Sequence, residues 1–330
     1  MDHKKVTIKD VAKEARVGIG TVSRVLNAGV VNPKTRERVQ KAIDKLGYQP
    51  NFFARQLAGG KSRRILALIP EVKTEFHWRI LETFDACLDR KDYQSIIYPL
   101  TSMKRFENLV SNMSFAQEVE GIALLTINAD ILDDFWDSQL PVVLIEQKHP
   151  DLPCVFLNNY RGGKLAAQHL ISKDATDFFA LYSVVENPLV DPLHMEERLG
   201  GFRDVLEQEN RSLSKDQIVY GDFALGPSHA KLTEILTKYE RPGIFALTDN
   251  FALFLLQVAS SLGKVPAKDF LLVGYDNQSW AEKVGLTTIE QPIDDFGDIG
   301  AQLILERILT PEKPIRQIEF NPQLILRATT

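Results

Sequence analysis

From Arg64 onward the sequence alternates between short apolar runs and longer amphipathic stretches, and this alternation constrains the fold more than any other feature. The strand candidates are Ile65–Pro70, Ser95–Leu100, Gly121–Thr126, Val142–Glu146, Val155–Leu157, Phe178–Tyr182, Gly243–Leu247 and Phe270–Tyr275, with a last one at Gln323–Arg327. Helices are predicted between them, such as Trp78–Lys91, Gly163–Ile171, Glu197–Glu209 and Phe251–Leu262. Strand–helix alternation implies parallel sheets covered on both faces. A stretch of about 265 residues is more than one such sheet organises, so two lobes are expected. The lobes are expected at roughly 64–160 with 293–320, and 161–292 with 321–330.

The first 49 residues read as a separate, all-helical unit. Thr7 followed by Asp10 has the form of an N-cap with an acid in the first turn, and Ile8, Val11, Ala12 and Ala15 recur at helical spacing. After a break at Arg16-Val17-Gly18, a second run from Ile19 to Leu26 puts Val22, Val25 and Leu26 on one face. A third helix follows Pro33, with Val39, Ile43 and Leu46 inward and Lys34, Arg36, Arg38, Lys41 and Lys45 mostly outward. Three short helices with a tight turn after the first make a helix-turn-helix module, whose second helix enters the major groove of DNA. Gly18-Ile19-Gly20 lies between two helices with no preceding strand, which argues against a nucleotide-binding loop. Residues 50–63 join head to body. There Asn51–Leu57, closed by Gly59-Gly60, has the size of a helix too short to be stable alone.

Charge divides the chain in the same place. Residues 1–64 hold 15 Lys and Arg against 5 Asp and Glu, whereas the rest holds 24 against 39, so a basic head precedes an acidic body. That split points to polyanion binding at one end only. No apolar run is long enough to span a bilayer and residues 1–30 lack a signal-peptide core, so a cytoplasmic protein is expected. Cys87 and Cys154 lack metal-ligand spacing and read as core residues. His149, His169 and His229 show none either, and no cofactor or metal is expected.

Thr7-Ile8-Lys9-Asp10-Val11-Ala12, Thr21-Val22-Ser23-Arg24-Val25-Leu26-Asn27 and Tyr48-Gln49-Pro50-Asn51 resemble the opening of the LacI/GalR family of bacterial regulators. The body resembles the two-lobed fold of periplasmic sugar-binding proteins. The resemblance implies a DNA-contacting set of Thr7, Ile19, Gly20, Thr21, Ser23, Arg24, Asn27, Tyr48, Asn51, Ala54, Arg55 and Leu57. Within it Ile19, Gly20 and Arg24 face base edges, Thr21 and Ser23 hold phosphates, and Leu57 is a minor-groove wedge on a hinge helix that folds on DNA. Two positions depart from the family: its usual turn glycine is Arg16, and the serine that caps its recognition helix is Gly18. Strain is therefore expected at Arg16 if the turn needs a positive φ.

Ligands in open parallel sheets bind outside the carboxyl ends of strands. The residues there are Phe76, His77, Trp78, Glu146, His194, Arg198, Phe223, Asp249 and Asp276, the last followed by Asn277. Trp280 is added as a further aromatic platform. Glu197-Arg198-Leu199-Gly200-Gly201-Phe202 and Gly274-Tyr275-Asp276-Asn277 resemble family elements whose Arg and Asp hydrogen-bond the effector. A planar donor fork facing a carboxylate suits vicinal hydroxyls, and aromatic faces suit a pyranose. A stacked nucleobase would use the same set, and an aromatic taken alone is more often core than a ligand platform.

No nucleophile elbow, His-Glu-x-x-His or P-loop is present. Asp133-Asp134 and Asp294-Asp295 are adjacent pairs that cannot converge as a helical dyad. A non-enzymatic regulator is expected, a repressor whose operator affinity is set by a small molecule, a sugar first. A nucleobase, nucleoside or sugar phosphate as effector stays open, as does an architectural DNA binder without one. With no heptad repeat after the last strand, the partners expected are a second copy in a homodimer and a pseudo-palindromic operator.

Overall fold

In the computed structural model, residues 6–26, 29–48, 62–70, 74–111, 118–128, 140–184, 187–221 and 227–330 are described. Asn27, Asn51, Ala54, Arg55, Leu57 and Phe223 lie outside the described residues, and so does the expected hinge helix Asn51–Leu57. The chain divides into two compact units, Met1–Arg63 and Arg64–Thr330.

The first unit holds α1 (Ile8–Ala15), α2 (Ile19–Leu26) and α3 (Pro33–Leu46). The Asp10 carboxylate accepts the Thr7 N–H at 2.8 Å and the Thr7 hydroxyl at 2.7 Å, which sets a negative group at the positive end of α1. The helix ends at Arg16 in the left-handed conformation, φ 52° and ψ 51°. A side chain there costs roughly 1 kcal/mol relative to glycine, so the strain expected at this turn is present. α2 opens on Gly18, whose carbonyl accepts from the Thr21 and Val22 amides. Asn32 Oδ1 caps α3 by accepting from the Lys34 amide at 3.0 Å, Pro33 takes the first position, and Gly47 closes the helix at φ 60°. Val11, Ala15, Val22, Val25, Val39 and Tyr48 are among the residues that form the core of this unit.

The second unit is built from twelve named strands and seven named helices among the described residues. β1 (Arg64–Ile69), β2 (Gln94–Pro99), β3 (Gly121–Leu125), β4 (Val142–Ile145), β5 (Cys154–Leu157) and β11 (Gln317–Phe320) form one sheet in the order β11-β5-β4-β3-β1-β2. All its pairings are parallel. β6 (Phe178–Ser183), β7 (Ile218–Gly221), β8 (Gly243–Ala246), β9 (Leu271–Asp276), β10 (Thr287–Glu290) and β12 (Gln323–Ile325) form the other, in the order β12-β10-β9-β8-β6-β7. Only its edge pair β10–β12 is antiparallel. Continuous burial of β1, β3, β4, β6, β8 and β9 explains their near-unbroken apolar sequences.

The helices are α4 (Glu75–Asp89), α5 (Met103–Ser111), α6 (Asn159–Ser172), α7 (Leu193–Gln208), α8 (Pro227–Lys238), α9 (Asp249–Ser261) and α10 (Ile293–Leu309). α4, α6 and α9 start earlier than their apolar periodicity suggests, because Thr74, Asn158 and Thr248 cap them and polar first turns follow. The chain passes between the sheets three times: from β5 into α6, from β10 through α10 to β11, and from β11 to β12. No helix among the described residues is long and apolar enough to cross a membrane.

Two glycines let α6 and α7 pack with their backbones in contact. A Cβ on Gly163 would stand 1.9 Å from the Arg198 carbonyl oxygen, and one on Gly201 would stand 1.9 Å from the Tyr160 carbonyl oxygen. Both neighbours are helix backbone and cannot rotate away. The cost is the overpacking penalty, about 1–3 kcal/mol and toward the upper end where backbone is met. Gly201→Ala is therefore expected to lower the melting temperature of the body markedly. Gly200→Ala, whose nearest neighbour stands 4.0 Å away, is expected to melt like wild type. Thermal melts of the two variants side by side check this.

Candidate functional site

The two sheets aim their strand carboxyl ends at one cavity of about 130 Å³. In each sheet the strand order reverses at this place, between β1 and β3 in the first and between β6 and β8 in the second. That is where open parallel sheets leave a crevice for ligands. Three residues on the lining stand at positive φ: Thr126 (53°), Glu146 (65°) and Asp276 (121°), and Asn277 follows at 51°. Non-glycine residues pay for this conformation, and such strain collects at binding sites. Each lies at or just past the end of a strand, so the backbone turns sharply and presents its side chain inward.

Arg198 is the centre of the site and is only 2% exposed. Its Nε donates to Asn159 Oδ1 at 2.9 Å and its Nη1 to the Leu247 carbonyl at 2.8 Å. The guanidinium lies over the Tyr275 ring, 3.7 Å from its centroid, and the Tyr275 hydroxyl donates to the same Asn159 oxygen at 3.1 Å. Asp276 Oδ1 stands 3.6 Å from Arg198 Nη1 and accepts from Gln291 Nε2 at 2.6 Å. The Arg–Asp separation allows attraction but is too long for a hydrogen bond. Both groups line the cavity.

Glu146 faces this pair and is 6% exposed. Burial, opposed by the Arg198 charge and reinforced by Asp276, pushes its carboxyl up to about 7. Its Oε1 and the Oε1 of Gln291 are buried without a hydrogen-bond partner among the described residues. The Gln291 orientation is fixed, since only its amide nitrogen can donate to Asp276. Two acceptors therefore wait on the lining, the position a ligand donor fills. Half-buried His194 is pushed down to about 3, by loss of solvent first and then by the Arg198 charge, so it is neutral here. His77 Nδ1 lies 2.9 Å from Thr74 Oγ1 and its Nε2 3.3 Å from Thr126 Oγ1.

The cavity brings together Phe76, His77, Glu146, His194, Arg198 and Asp276 of the expected set. Three others are placed elsewhere. Asp249 is fully buried beside the site: its Oδ1 accepts from the Thr288 hydroxyl at 2.6 Å and its Oδ2 from the Gln278 amide at 2.9 Å. It braces the turn after Asp276, and burial together with the nearby Asp276 charge raises its carboxyl well above the usual range. Gly274 is small for the same reason, since a Cβ there would meet Asp249 Oδ1 at 2.3 Å. Trp78 is 56% exposed on α4, one residue past the inward-facing turn. Trp280 packs on the core behind β9, its indole N–H donating to Gln278 Oε1 at 3.0 Å. Sequence reasoning missed Thr126, Ser183, Gln291 and Asn159. The strand-end rule reaches the first two, whereas Gln291 follows β10, a strand too threonine-rich to be recognised.

In the helix-turn-helix unit, burial of Val22 and Val25 turns Ile19, Gly20 and Arg24 outward. Ile19 is 45% exposed and space around Gly20 is open. Thr7 is exposed and Thr21 and Ser23 half-exposed, whereas Tyr48 lies in the core of the unit, its ring needed for packing.

Glu146 makes a testable contribution to stability. The folded protein holds its proton more tightly than the unfolded chain does, so this contribution is present below about 4.5 and is lost as pH rises through about 7. The loss amounts to roughly 3 kcal/mol. Glu146→Gln is expected to melt several degrees above wild type at pH 8, the gap closing by pH 5, where both side chains are neutral. A gap independent of pH would refute the assignment.

Comparison with known proteins agrees with both halves of this description. Residues 7–51 match the model of the bacterial regulatory proteins of the lacI family, and residues 167–330 match the periplasmic binding protein-like domain. The HTH-type transcriptional regulator DegA of Bacillus subtilis (strain 168) is 28% identical, over 99% of this chain and 98% of its own length. The transcriptional regulator CelR, solved in complex with cellobiose, is 26% identical with a TM-score of 0.71, covering 98% of this chain and 100% of its own. The Lac repressor dimer, solved with operator and an anti-inducer, has the same fold at 23% identity, with a TM-score of 0.84 and 99% of each chain covered. A helix-turn-helix unit whose second helix turns one face outward and a two-sheet body with a cleft that holds a buried Arg–Asp pair thus occur here together, and this chain belongs to the lacI family of DNA-binding transcriptional regulators.

Proposed function

We propose that this regulator is a repressor that binds a pseudo-palindromic operator as a homodimer, and that a small polyhydroxylated ligand, a sugar, held in the cleft sets its affinity for DNA. The observation that carries the reading is the Arg198–Asp276 pair, 3.6 Å apart and buried over a cavity that also holds unpartnered acceptors. A guanidinium offers donors and a carboxylate offers acceptors at hydrogen-bonding distance from one oxygen pair, which is the pattern of adjacent hydroxyls. Phe76 and Met195 supply apolar lining against a sugar face. The cellobiose bound to CelR supports the same class. A nucleobase would stack between aromatic faces, and of the expected platforms Trp78 and Trp280 do not reach the cavity.

Ligand control of DNA affinity follows if the ligand binds one arrangement of the lobes better than another. Contacts across the mouth of the cleft are candidates for what changes: Asn128 N donates to the Leu189 carbonyl at 2.8 Å and Ser279 Oγ donates to Glu75 at 2.8 Å.

Thermal-shift screening against uncharged mono- and disaccharides, including cellobiose, is expected to give at least one stabilising ligand. Calorimetry with that sugar is expected to show affinity falling by at least about 100-fold in both Arg198→Ala and Asp276→Ala, since each strands a buried charge. Because coupling is reciprocal, operator DNA must change sugar affinity by the same factor as sugar changes operator affinity. Equal sugar affinity on and off DNA would mean that the cleft is not a switch.

On the DNA side, Arg24 is the exposed side chain of α2 able to form a bidentate base contact. With an operator obtained by in vitro selection, Arg24→Ala is expected to cost about 1–3 kcal/mol and to relax preference at one base pair of each half-site. Uniform weakening on every sequence would make it a phosphate contact instead.

A further inference from the structure

We propose that the cleft is a charge filter: it admits an uncharged polyhydroxylated ligand and rejects the phosphate ester of the same ligand, and Glu146 sets the filter. The proposal rests on the sugar reading above and narrows it.

Phosphate sites are built from surplus positive charge and from free amides at helix N-termini. Here both are partly taken up by the chain. Among the described residues lining the cavity, Arg198 is the single arginine or lysine, and it stands against Glu146 and Asp276, with Asp249 buried just behind. Lys148, the next cation, is held at 2.7 Å by Glu197. Nε and Nη1 of Arg198 are committed to Asn159 and to the Leu247 carbonyl, which leaves Nη2 as its donor for a neutral ligand.

At each helix N-terminus around the cavity one amide is already capped. Thr74 Oγ1 accepts from the His77 amide at the start of α4, and Thr248 Oγ1 accepts from the Phe251 amide at the start of α9. At the start of α7 the Leu193 amide donates to Asp191 Oδ1 at 2.9 Å, so that amide is met by an acid. What the lining leaves unmet is acceptor capacity, Glu146 Oε1 and Gln291 Oε1. A sugar hydroxyl can donate to both. A phosphate dianion has no hydrogen to donate, and above pH 7 it brings two negative charges beside an ionised Glu146.

The groups facing Glu146 are Arg198 from α7, Asp276 from β9 and Glu197 from α7, the last paired with Lys148. Removing one negative charge while keeping shape and acceptor is therefore the sharpest perturbation, and Glu146→Gln does that.

The test is a matched panel of glucose, fructose and ribose with glucose 6-phosphate, fructose 6-phosphate and ribose 5-phosphate, and cellobiose as a further uncharged probe. Binding to the full chain is read by thermal shift and then by calorimetry at pH 8. Phosphate esters are expected to bind wild type at least about 100-fold more weakly than the parent sugar that binds. Glu146→Gln is expected to narrow that ratio to about 10-fold, by admitting the ester. An ester binding wild type as tightly as its parent overturns the filter and leaves the sugar reading standing. A ratio unchanged in Glu146→Gln overturns the role of Glu146, and the wild-type comparison does not depend on that variant folding. If neither uncharged sugars nor esters bind, the sugar reading fails, and this proposal with it.

Discussion

A guanidinium buried to 2% exposure has to be paired and hydrogen-bonded on nearly every side, and the body of this protein is arranged around meeting that demand for Arg198. Asn159, the Leu247 carbonyl, the Tyr275 ring and Asp276 each meet a part of it. They come from α6, the end of β8 and the end of β9, so the site exists only when the second sheet and two of its helices are in register. The contact of Gly163 with the Arg198 carbonyl and of Gly201 with the Tyr160 carbonyl lets α6 and α7 approach closely enough for Asn159 to reach the guanidinium. One cation thus ties helix packing, strand ends and ligand chemistry together.

Around that cation the carboxyls divide by environment. Asp249 has its oxygens engaged by Thr288 and by the Gln278 amide, so it acts as a brace. Asp276 keeps the Arg198 charge beside it and is held by Gln291. Glu146 has Arg198 opposing its burial but is left with an unpartnered oxygen. Burial raises all three carboxyls, so what separates their roles is which hydrogen bonds each already has. A ligand hydroxyl is worth most where the protein has left an acceptor unmet, and Glu146 is that place.

Much of this was legible in the sequence, for identifiable reasons. Buried parallel strands such as Ile65–Ile69 and Val142–Ile145 must be apolar on both faces, so they stand out as short runs. Arg16 at φ 52° was legible through the resemblance, because the family's usual residue at that turn is glycine, the residue a positive φ favours. Arg198 and Asp276 were singled out through short motifs that resemble family elements, and both line the cavity. Illegible were β7, β10 and β11. The first is four residues ending in glycine, β10 buries threonines that read as polar, and β11 at the sheet edge alternates exposed Gln317 and Glu319 with half-buried neighbours. Losing β10 hid Gln291. Asp249 and Trp280 were misplaced because sequence position puts a residue near a strand end but does not say which way its side chain turns, and here hydrogen bonds to Thr288 and Gln278 decide it.

The three crossings between the sheets are also where the ligand groups are anchored. Asn159 opens α6 immediately after the first crossing and accepts from Arg198. Gln291 lies in the second crossing and donates to Asp276. At the third, Asn321 accepts from Arg161 at 3.0 Å, and the Phe320 carbonyl accepts from the Asn158 amide at 2.9 Å, which ties the third crossing to the first. A hinge moves by changing backbone angles over a few residues, and here those residues carry side chains bonded to the buried Arg–Asp pair. The first two crossings are thus one hydrogen bond away from the buried pair, and the third is reached through the first. A displacement of either of those two crossings therefore bears directly on Arg198 or Asp276.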